Sequence, residues 1–287
     1  MAVKDSQVAS QYDDRTTEAV KSVLIEIGQI LGSFRGKFAV IGGAVPWLLL
    51  GDAEMQHVGT ADVDLGLDPV ALGDGEYTRL VQALQKQGYL QRDNLRRFQL
   101  VRTVPSVDDG PDIDIIVDFL MPRDAEITKN IPPLISEFAV QRADGVDLAT
   151  RFYHMVAIEG HMPDGGRNCV SIAVASIPAL LAMKGYAIAK RLKLKDAYDI
   201  YYSVRNFPDG IDTLIEATRP LLDVESALQG YRSISDKFRS VDDFGPMSVR
   251  KFVEGSHLLG DRTGDQWQQD AFGQVDAWLR GLGITQS

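Results

Sequence analysis

The feature that most constrains the fold is a change in hydrophobic patterning near Ser176. Before this point, short runs that alternate apolar and polar residues are interspersed with helical segments; after it, apolar residues recur at helical spacing to the end of the chain. Alternation indicates half-buried strands, whereas a spacing of three and four indicates amphipathic helices. The pattern therefore predicts an α+β fold, in which a mixed β-sheet core with flanking helices precedes a C-terminal helical domain.

The same patterning predicts three parts of different architecture. We expect residues 1–36 to form an N-terminal helix packed on the core, residues 37–177 the core domain, and residues 178–287 the helical domain. Within the core, the patterning predicts strands at 37–41, 60–67, 97–104, 112–120 and 170–174, and helices at 44–50 and 76–87. The turn-rich segment 105–111 indicates a hairpin between the third and fourth of these strands.

Composition excludes several classes of protein. One cysteine, Cys169, excludes a disulfide framework, and the four histidines lack metal-ligand spacing, so each should lie at the surface or have a hydrogen-bond partner. The net charge of −10 disfavours extended, non-specific binding along nucleic acid, which requires a positive field. The apolar runs are too short to span a bilayer and the N-terminus lacks the apolar core of a signal peptide, so we expect a cytoplasmic protein without membrane contact.

Two aspartates in the strand at 60–67 are the first candidates for a chemical role. Asp62 and Asp64 are two residues apart, so their side chains lie on the same face of a strand. Adjacent carboxylates repel each other unless a cation neutralises them, and oxygen ligands of this kind suit Mg²⁺ or Mn²⁺ together with substrate phosphates. In a chain with 40 acidic residues, however, such a pair also arises by chance on a solvated strand.

The surroundings of this pair favour the cation. Gly42 and Gly43 end one strand just before a helix, where a glycine turn allows backbone N–H groups to approach a phosphate. A third carboxylate is expected from the strand at 112–120, in which Asp114 and Asp118 alternate onto one face. Unpaired inward-facing carboxylates are strongly disfavoured in so apolar a strand, so this face is either exposed to solvent or supports a cation.

Three segments resemble the core motifs of the nucleotidyltransferase superfamily that includes DNA polymerase β: Val40–Gly43, Thr60–Leu65 and Val117–Leu120. More narrowly, the pattern Lys-x-x-Ala, Arg and Lys-Asp-x-x-Asp between residues 184 and 199 is similar to the helical motif of AbiEii/MenA-like nucleotidyltransferases. That family comprises the toxin components of toxin–antitoxin and phage-abortive systems. The resemblance covers residues 37–204 and implies a nucleotidyltransferase-like core.

The resemblance implies a role for each matching residue. Asp62 and Asp64 would hold Mg²⁺. The third carboxylate would be Asp118, which the motif favours, or Asp114, which its distance from the preceding turn favours. Lys184 would assist catalysis. Together with Lys184, the following residues would bind the nucleotide and its phosphates: Gly42, Gly43, Thr60, Arg191, Lys195, Asp196 and Asp199.

The basic residues of the helical motif also share a predicted face. On a continuous helix, Lys184, Arg191 and Lys195 would lie within about 40° of one another and could meet a triphosphate. The alternative is a solvated basic face, against which the apolar neighbours of Lys184 argue. If the helix breaks near residues 192–194, the shared face is lost for Lys195 but not for the other two.

The expected activity is transfer of NMP from an NTP to an acceptor hydroxyl, with release of pyrophosphate and with Mg²⁺, or Mn²⁺ in its place, as cofactor. The resemblance favours RNA, and a tRNA 3′ end in particular, as the acceptor and an antitoxin as a protein partner. A protein hydroxyl or a small molecule, as in aminoglycoside-type adenylyltransferases, is the alternative acceptor.

One departure from the family pattern favours a catalytically silent nucleotide-binding or partner-binding protein instead. Family members often carry an arginine two residues before Thr60, where this chain has Val58, with His57 beside it.

Overall fold

The computed structural model describes residues 8–73, 75–106, 110–125 and 140–284. The chain divides into two compact units. The sheet unit comprises Asp14–Ala44 and Gly59–Ser176, and the helical unit groups Ile177–Ser287 with two earlier segments, Lys4–Asp13 and Val45–Val58. The three domain ranges expected from the sequence stay a prediction.

The elements of the sheet unit alternate between strands and helices. Its strands, within the described residues, are β1 (Phe38–Ile41), β2 (Asp62–Leu67), β3 (Gln99–Val104), β4 (Ile113–Pro122), β5 (Gln141–Ala143), β6 (Tyr153–His161) and β7 (Arg167–Ala175). Its helices are α1 (Asp14–Ile30), α3 (Glu76–Lys86) and α4 (Val146–Arg151). The short helix α2 (Ala44–Leu49) follows β1 directly in the chain.

The described strands form one mixed sheet, in the order β3-β4-β2-β1-β7-β6, with β5 paired to β4. The pairs β2–β4, β1–β7 and β4–β5 are parallel and the remaining pairs are antiparallel. Strand β4 alternates buried side chains, among them Val117 and Phe119, with half-buried or exposed ones, as the sequence pattern predicts. Helix α1 buries its apolar stripe, including Val20 and Leu24, against strands of the sheet. The predicted α+β fold with a mixed sheet core is confirmed.

Patterning located most elements of the sheet unit but missed three. The antiparallel pairing of β3 with β4 confirms the predicted hairpin, of which residues 107–109 lie outside the described chain. Residues 1–7 of the predicted N-terminal helix also lie outside it, and the helix begins at Asp14. Strand β6 was not predicted, because most of its side chains are exposed on both faces and it therefore has no apolar alternation. Helix α4 and strand β5 are too short to show a period.

The helical unit contains, within the described residues, α5 (Ile177–Lys190), α6 (Leu194–Arg205), α7 (Ile211–Thr218), α8 (Glu225–Ser235), α9 (Phe244–Val253) and α10 (Gly264–Gly281). Helices α5 and α8 cross very closely. A Cβ atom at Gly185 would lie 1.9 Å from the carbonyl oxygen of Gly230, so only glycine allows this approach. Every described helix is too short or too polar to cross a bilayer.

Candidate functional site

The candidate carboxylates of the sheet unit lie on two neighbouring parallel strands. Asp64 on β2 is the register partner of Asp118 on β4, so the two side chains lie on the same face, with Cα atoms about 4.8 Å apart. Asp62 is two residues earlier on β2 and lies on that face as well. All three residues are half-buried. The strand register therefore brings together the three carboxylates named from the sequence motifs.

The glycine turn after β1 lies beside this group. Gly42 has a φ of +72°, a conformation that residues with a Cβ rarely adopt. A Cβ atom at this position would also lie 1.9 Å from Oδ2 of Asp64. Glycine is therefore required at Gly42 both for the turn and for the place that the Asp64 carboxylate occupies. Gly43 leads directly into α2.

Two polar side chains orient the carboxylates of Asp62 and Asp118. The hydroxyl of Thr60, a buried residue, donates to Oδ1 of Asp62 at 2.8 Å. Nε2 of Gln99 donates to Oδ1 of Asp118 at 2.7 Å, while Oε1 of Gln99 accepts the backbone N–H of Arg96 at 3.0 Å. Because the second bond fixes which end of the amide is the acceptor, the NH₂ group of Gln99 faces Asp118. Sequence reasoning missed Gln99, since only the strand register brings it to Asp118.

Asp114, the alternative third carboxylate, lies elsewhere on β4. It is four residues from Asp118, which is about 13 Å along a strand. Its carboxylate accepts hydrogen bonds from Arg92 and from the hydroxyl of Thr103, the latter at 2.6 Å. The hydrogen bond from Arg92 is the main reason that the pKa of Asp114 is below its usual value. The Asp114 carboxylate thus already has partners in Arg92 and Thr103, and it lies away from Asp64.

The donor chemistry of the Asp64–Asp118 pair fits Mg²⁺. In the described part of the chain, no group of three or more His, Cys, Asp or Glu side chains is arranged to hold a metal ion. Protein sites for Mg²⁺ commonly use one or two carboxylates, with water and substrate phosphates as the other ligands. Asp64 and Asp118, level with each other beside a glycine turn, match that set of ligands.

The basic motif of the helical unit is not one continuous helix: it breaks at residues 191–193, close to the break considered from the sequence, so Lys195 does not share a continuous helical face with Lys184. Helix α5 ends at Lys190 and α6 begins at Leu194, because Lys193 has an extended backbone, with φ −91° and ψ 121°, that no helix accommodates. On a straight helix, Lys184 and Asp196 would be about 18 Å apart. The break reverses the chain and brings Nζ of Lys184 to 2.8 Å from Oδ1 of Asp196.

The motif side chains converge in a buried ionic cluster. Nζ of Lys184 also donates to Oδ2 of Asp199 at 2.7 Å, and Nζ of Lys195 donates to both Asp199 oxygens at 3.0 and 3.2 Å. Arg191 binds Asp196 with two nitrogens, at 2.7 and 3.0 Å, while 57% of its side chain stays exposed. Three cations thus surround two carboxylates, and only Arg191 has substantial exposure.

Charge pairing outweighs burial in this cluster. Burial would raise the pKa of Asp199, but Lys184, Lys195 and His57 hold it well below its usual value. Burial would likewise lower the pKa of Lys184, yet Asp196 and Asp199 raise it above the ordinary lysine value. The two aspartates are therefore ionised, and their charges are balanced by neighbouring cations rather than by solvent.

His57 completes the cluster and was not singled out from the sequence. Its ring Nε2 lies 3.0 Å from Oδ1 of Asp199, and its side chain is 1% exposed. We expected each histidine either to lie at the surface or to have a hydrogen-bond partner, and His57 has a hydrogen-bond partner. The only signal in the sequence was its place beside Val58, where family members often have arginine.

The mixed sheet, which has seven strands within the described residues, is flanked by helices and carries carboxylates on neighbouring strands. It defines an α+β protein with a nucleotidyltransferase-like fold. Comparison with known proteins gives the narrower assignment. The family model described as "Nucleotidyl transferase AbiEii toxin, Type IV TA system" matches residues 69–242, which is more than half of the chain. The chain belongs to the AbiEii nucleotidyl transferase toxin family. No curated protein matches it.

The matched span divides the candidate residues. It includes Asp118 and the whole basic motif from Lys184 to Asp199, whereas Gly42, Asp62 and Asp64 precede it. Membership supports nucleotidyl transfer within a toxin–antitoxin system as the general function. It also supports an antitoxin as a partner.

Proposed function

We propose that the protein transfers a nucleoside monophosphate from an NTP to an acceptor hydroxyl, releasing pyrophosphate, with Mg²⁺ held by Asp64 and Asp118. The observation that carries the proposal is the register of β2 and β4, which sets these two carboxylates side by side on one face. Side-by-side carboxylates repel each other, and a divalent cation removes that repulsion. Asp62 lies on the same face of β2, two residues before Asp64, and is held by Thr60.

In the proposed reaction, the acceptor oxygen attacks the α-phosphorus in line while the bond to the pyrophosphate oxygen breaks. Bound Mg²⁺ would polarise the phosphate and stabilise the charge on the attacking and leaving oxygens. Asp118, oriented by Gln99, takes the proton of the attacking hydroxyl. The backbone at Gly42 and Gly43 seats the phosphates. We assign the role of third carboxylate to Asp118 because Asp114 lies about 13 Å along the strand.

The buried cluster of the helical unit is proposed to supply positive charge to the triphosphate. Three cations against two carboxylates, with His57 neutral, leave a net charge of +1. Arg191 and Lys184 are the proposed phosphate contacts; the guanidinium of Arg191 binds Asp196 through Nε and Nη2, while 57% of its side chain stays exposed. Lys195, Asp196 and Asp199 take part by holding these cations in place.

We propose RNA, and a tRNA 3′ end in particular, as the acceptor, on the strength of the family resemblance. A net charge of −10 disfavours long tracts of RNA and is compatible with recognition of an RNA end. A small molecule or a protein hydroxyl is the competing acceptor. A catalytically silent binding protein is the competing function.

A labelling assay tests the proposal. Purified protein is incubated with Mg²⁺, each α-phosphate-labelled NTP in turn, and total cellular RNA. We expect label in an RNA band with the wild type and none with Asp64→Asn/Asp118→Asn. Asp114→Asn is the matched control, because it changes a carboxylate on the same strand face and should keep full transfer.

Each other outcome of this assay selects an alternative. Label on the protein itself would favour a protein acceptor. NTP binding without transfer to RNA or protein would favour a small-molecule acceptor or a silent binding protein. Loss of transfer in Asp114→Asn, with Asp118→Asn active, would move the third carboxylate to Asp114.

The toxin role has a separate test in cells. Expression of the chain alone should slow growth, and Asp64→Ala should relieve the effect, since the proposed toxicity requires transfer. Equal growth arrest by both proteins at matched expression would contradict an enzymatic toxin.

A further inference from the structure

His57 is the least expected member of the buried cluster. It belongs to the Val45–Val58 segment of the helical unit, far in sequence from the motif residues it contacts. Its ring centroid lies 4.7 Å from that of Tyr202 in an edge-on arrangement and 5.7 Å from that of Tyr198. These contacts fix the plane of the imidazole and direct Nε2 at Asp199.

The charge state of His57 follows from its surroundings. Burial, with smaller contributions from Lys195 and Lys184, lowers its pKa to about 4, although the bond to Asp199 opposes the shift. The imidazole is therefore neutral at neutral pH. Because an ionised carboxylate only accepts hydrogen bonds, the proton of the neutral ring is on Nε2.

A neutral donor has a specific consequence at this position. Asp199 accepts bonds from Lys184, Lys195 and His57, and its Oδ1 atom is shared by the last two. His57 satisfies Asp199 without adding charge, so the cluster keeps its net charge of +1. Of these three donors, only Lys195 would then remain bonded to Oδ1 if His57 were removed. The Asp199 carboxylate would be free to rotate away from Lys184.

We infer that His57 is a positioning residue for nucleotidyl transfer: its Nε2–H holds Asp199 in the orientation that fixes Lys184. The inference rests on the proposed function, in which Lys184 contacts the triphosphate. It assigns a role to the segment that departs from the family pattern at Val58.

The test compares two amide replacements of His57 that differ in reach. His57→Gln places a neutral N–H donor near the position of Nε2, whereas the amide of His57→Asn falls about one bond short. Both variants are polar and uncharged, so their effects on folding should be similar. For each variant, kcat and KM for the NTP are measured together with the thermal midpoint Tm.

Tyr202→Phe is the matched structural control. The Tyr202 hydroxyl donates to the carbonyl oxygens of Met55 at 2.8 Å and Leu50 at 3.3 Å, so its removal loosens the same segment while leaving Asp199 untouched. Phenylalanine retains the ring that packs on His57. A lower Tm with unchanged kcat in this variant would define what loosening alone does.

We expect His57→Asn to lose tenfold or more in kcat, roughly the effect of one lost charge-assisted hydrogen bond. His57→Gln and Tyr202→Phe should keep kcat within about threefold of the wild type. Equal kcat in His57→Asn and Tyr202→Phe would overturn the inference and leave a purely structural histidine. Loss of kcat in His57→Gln equal to that in His57→Asn would also overturn it.

The failure of this inference is distinguishable from failure of the proposed function. If the wild type binds NTP but transfers nothing, the proposed reaction fails and the same variants are compared by calorimetric NTP affinity, with His57→Asn expected to be the weakest. Equal affinities would then overturn the inference. A wild type that neither transfers nor binds NTP would overturn both.

Discussion

The sheet unit and the helical unit each contain a charged group, but the two groups are built differently. In the sheet unit, Asp64 and Asp118 are half-buried carboxylates placed side by side by strand register. In the helical unit, Asp196 and Asp199 are almost fully buried, and each is bonded to two or more cationic or imidazole partners. Like charges placed together favour an incoming cation, whereas in a buried cluster of opposite charges each charge is compensated by its neighbours and is costly to leave alone.

The same residue type therefore has different consequences in the two units. An aspartate of the helical cluster is required for folding, because its loss leaves buried lysines without a counter-charge. For an aspartate of the sheet pair, we expect the larger effect on the proposed chemistry and the smaller one on folding.

The largest effect on stability is expected for Asp199→Asn. This change leaves Lys184 and Lys195 buried beside a neutral amide, and removal of one partner from a buried ion pair costs about 3–5 kcal/mol. Chemical unfolding by urea measures the loss. Asp223→Asn, an exposed residue of the helical unit, is the control and should stay within about 0.5 kcal/mol of the wild type.

A pH-dependent loss of stability is expected from His57. Its pKa is about 4 in the folded protein, against 6.5 for an unperturbed histidine, so the unfolded chain takes up a proton first as the pH falls. The stability that the neutral ring contributes is present above pH 6.5 and is lost towards pH 4, by about 3 kcal/mol in total.

The measurement is the free energy of unfolding at several pH values for the wild type and His57→Gln. The slope between pH 6.5 and 4.5 should be smaller in the variant, because glutamine does not titrate. Asp199 and Lys184, which also face the ring, titrate outside this window, because ion pairing lowers the pKa of Asp199 and raises that of Lys184. Identical slopes in both proteins would contradict a neutral buried His57.

A smaller loss is expected for Gly185→Ala at the crossing of α5 and α8. The new Cβ would lie 1.9 Å from the Gly230 carbonyl oxygen, which is backbone and cannot rotate away. Separation of the helices should cost about 1–3 kcal/mol and displace Lys184, the preceding residue. Gly273→Ala, in a helix with nothing within 4 Å of the new Cβ, should be neutral or slightly stabilising. Equal melting temperatures for the two variants would contradict the close crossing.

The smallest effect on stability is expected for Asp64→Asn. Removing one of two adjacent carboxylates relieves their repulsion, so the free energy of unfolding should change by less than about 1 kcal/mol and in the stabilising direction. Urea unfolding in the absence of divalent ions measures the change. A loss comparable to that of Asp199→Asn would show that Asp64 stabilises the fold in the way the helical cluster does.

The sequence allowed prediction of the fold class and of most strands, because β1 is a short, fully buried apolar run and burial alternates along β4. It also named the residues of both charged groups, because short motifs preserve residue type and spacing. It could not establish that Asp64 is level with Asp118, since register depends on pairing between strands distant in the chain. For the same reason it missed Gln99 and His57, whose partners are 19 and 142 residues away in the sequence.

The break between α5 and α6 was foreseen from the sequence only as an alternative, for a related reason. Helical spacing alone does not reveal where a helix ends when the sequence has no glycine or proline, and Arg191–Lys193 has neither. The break brings Asp196 and Asp199 to Lys184, tertiary contacts that the period of the sequence does not contain.

The most direct test of the central difference is a titration with Mn²⁺, a spectroscopic substitute for Mg²⁺, in the presence of a non-hydrolysable NTP analogue. Free Mn²⁺ is followed by electron paramagnetic resonance for the wild type, Asp64→Asn/Asp118→Asn and Asp114→Asn. We predict that the wild type and Asp114→Asn bind Mn²⁺ alike, and that the double variant loses binding while its unfolding curve stays that of a folded protein. Equal Mn²⁺ affinity in all three folded proteins would contradict the assignment of the sheet carboxylates as the metal site.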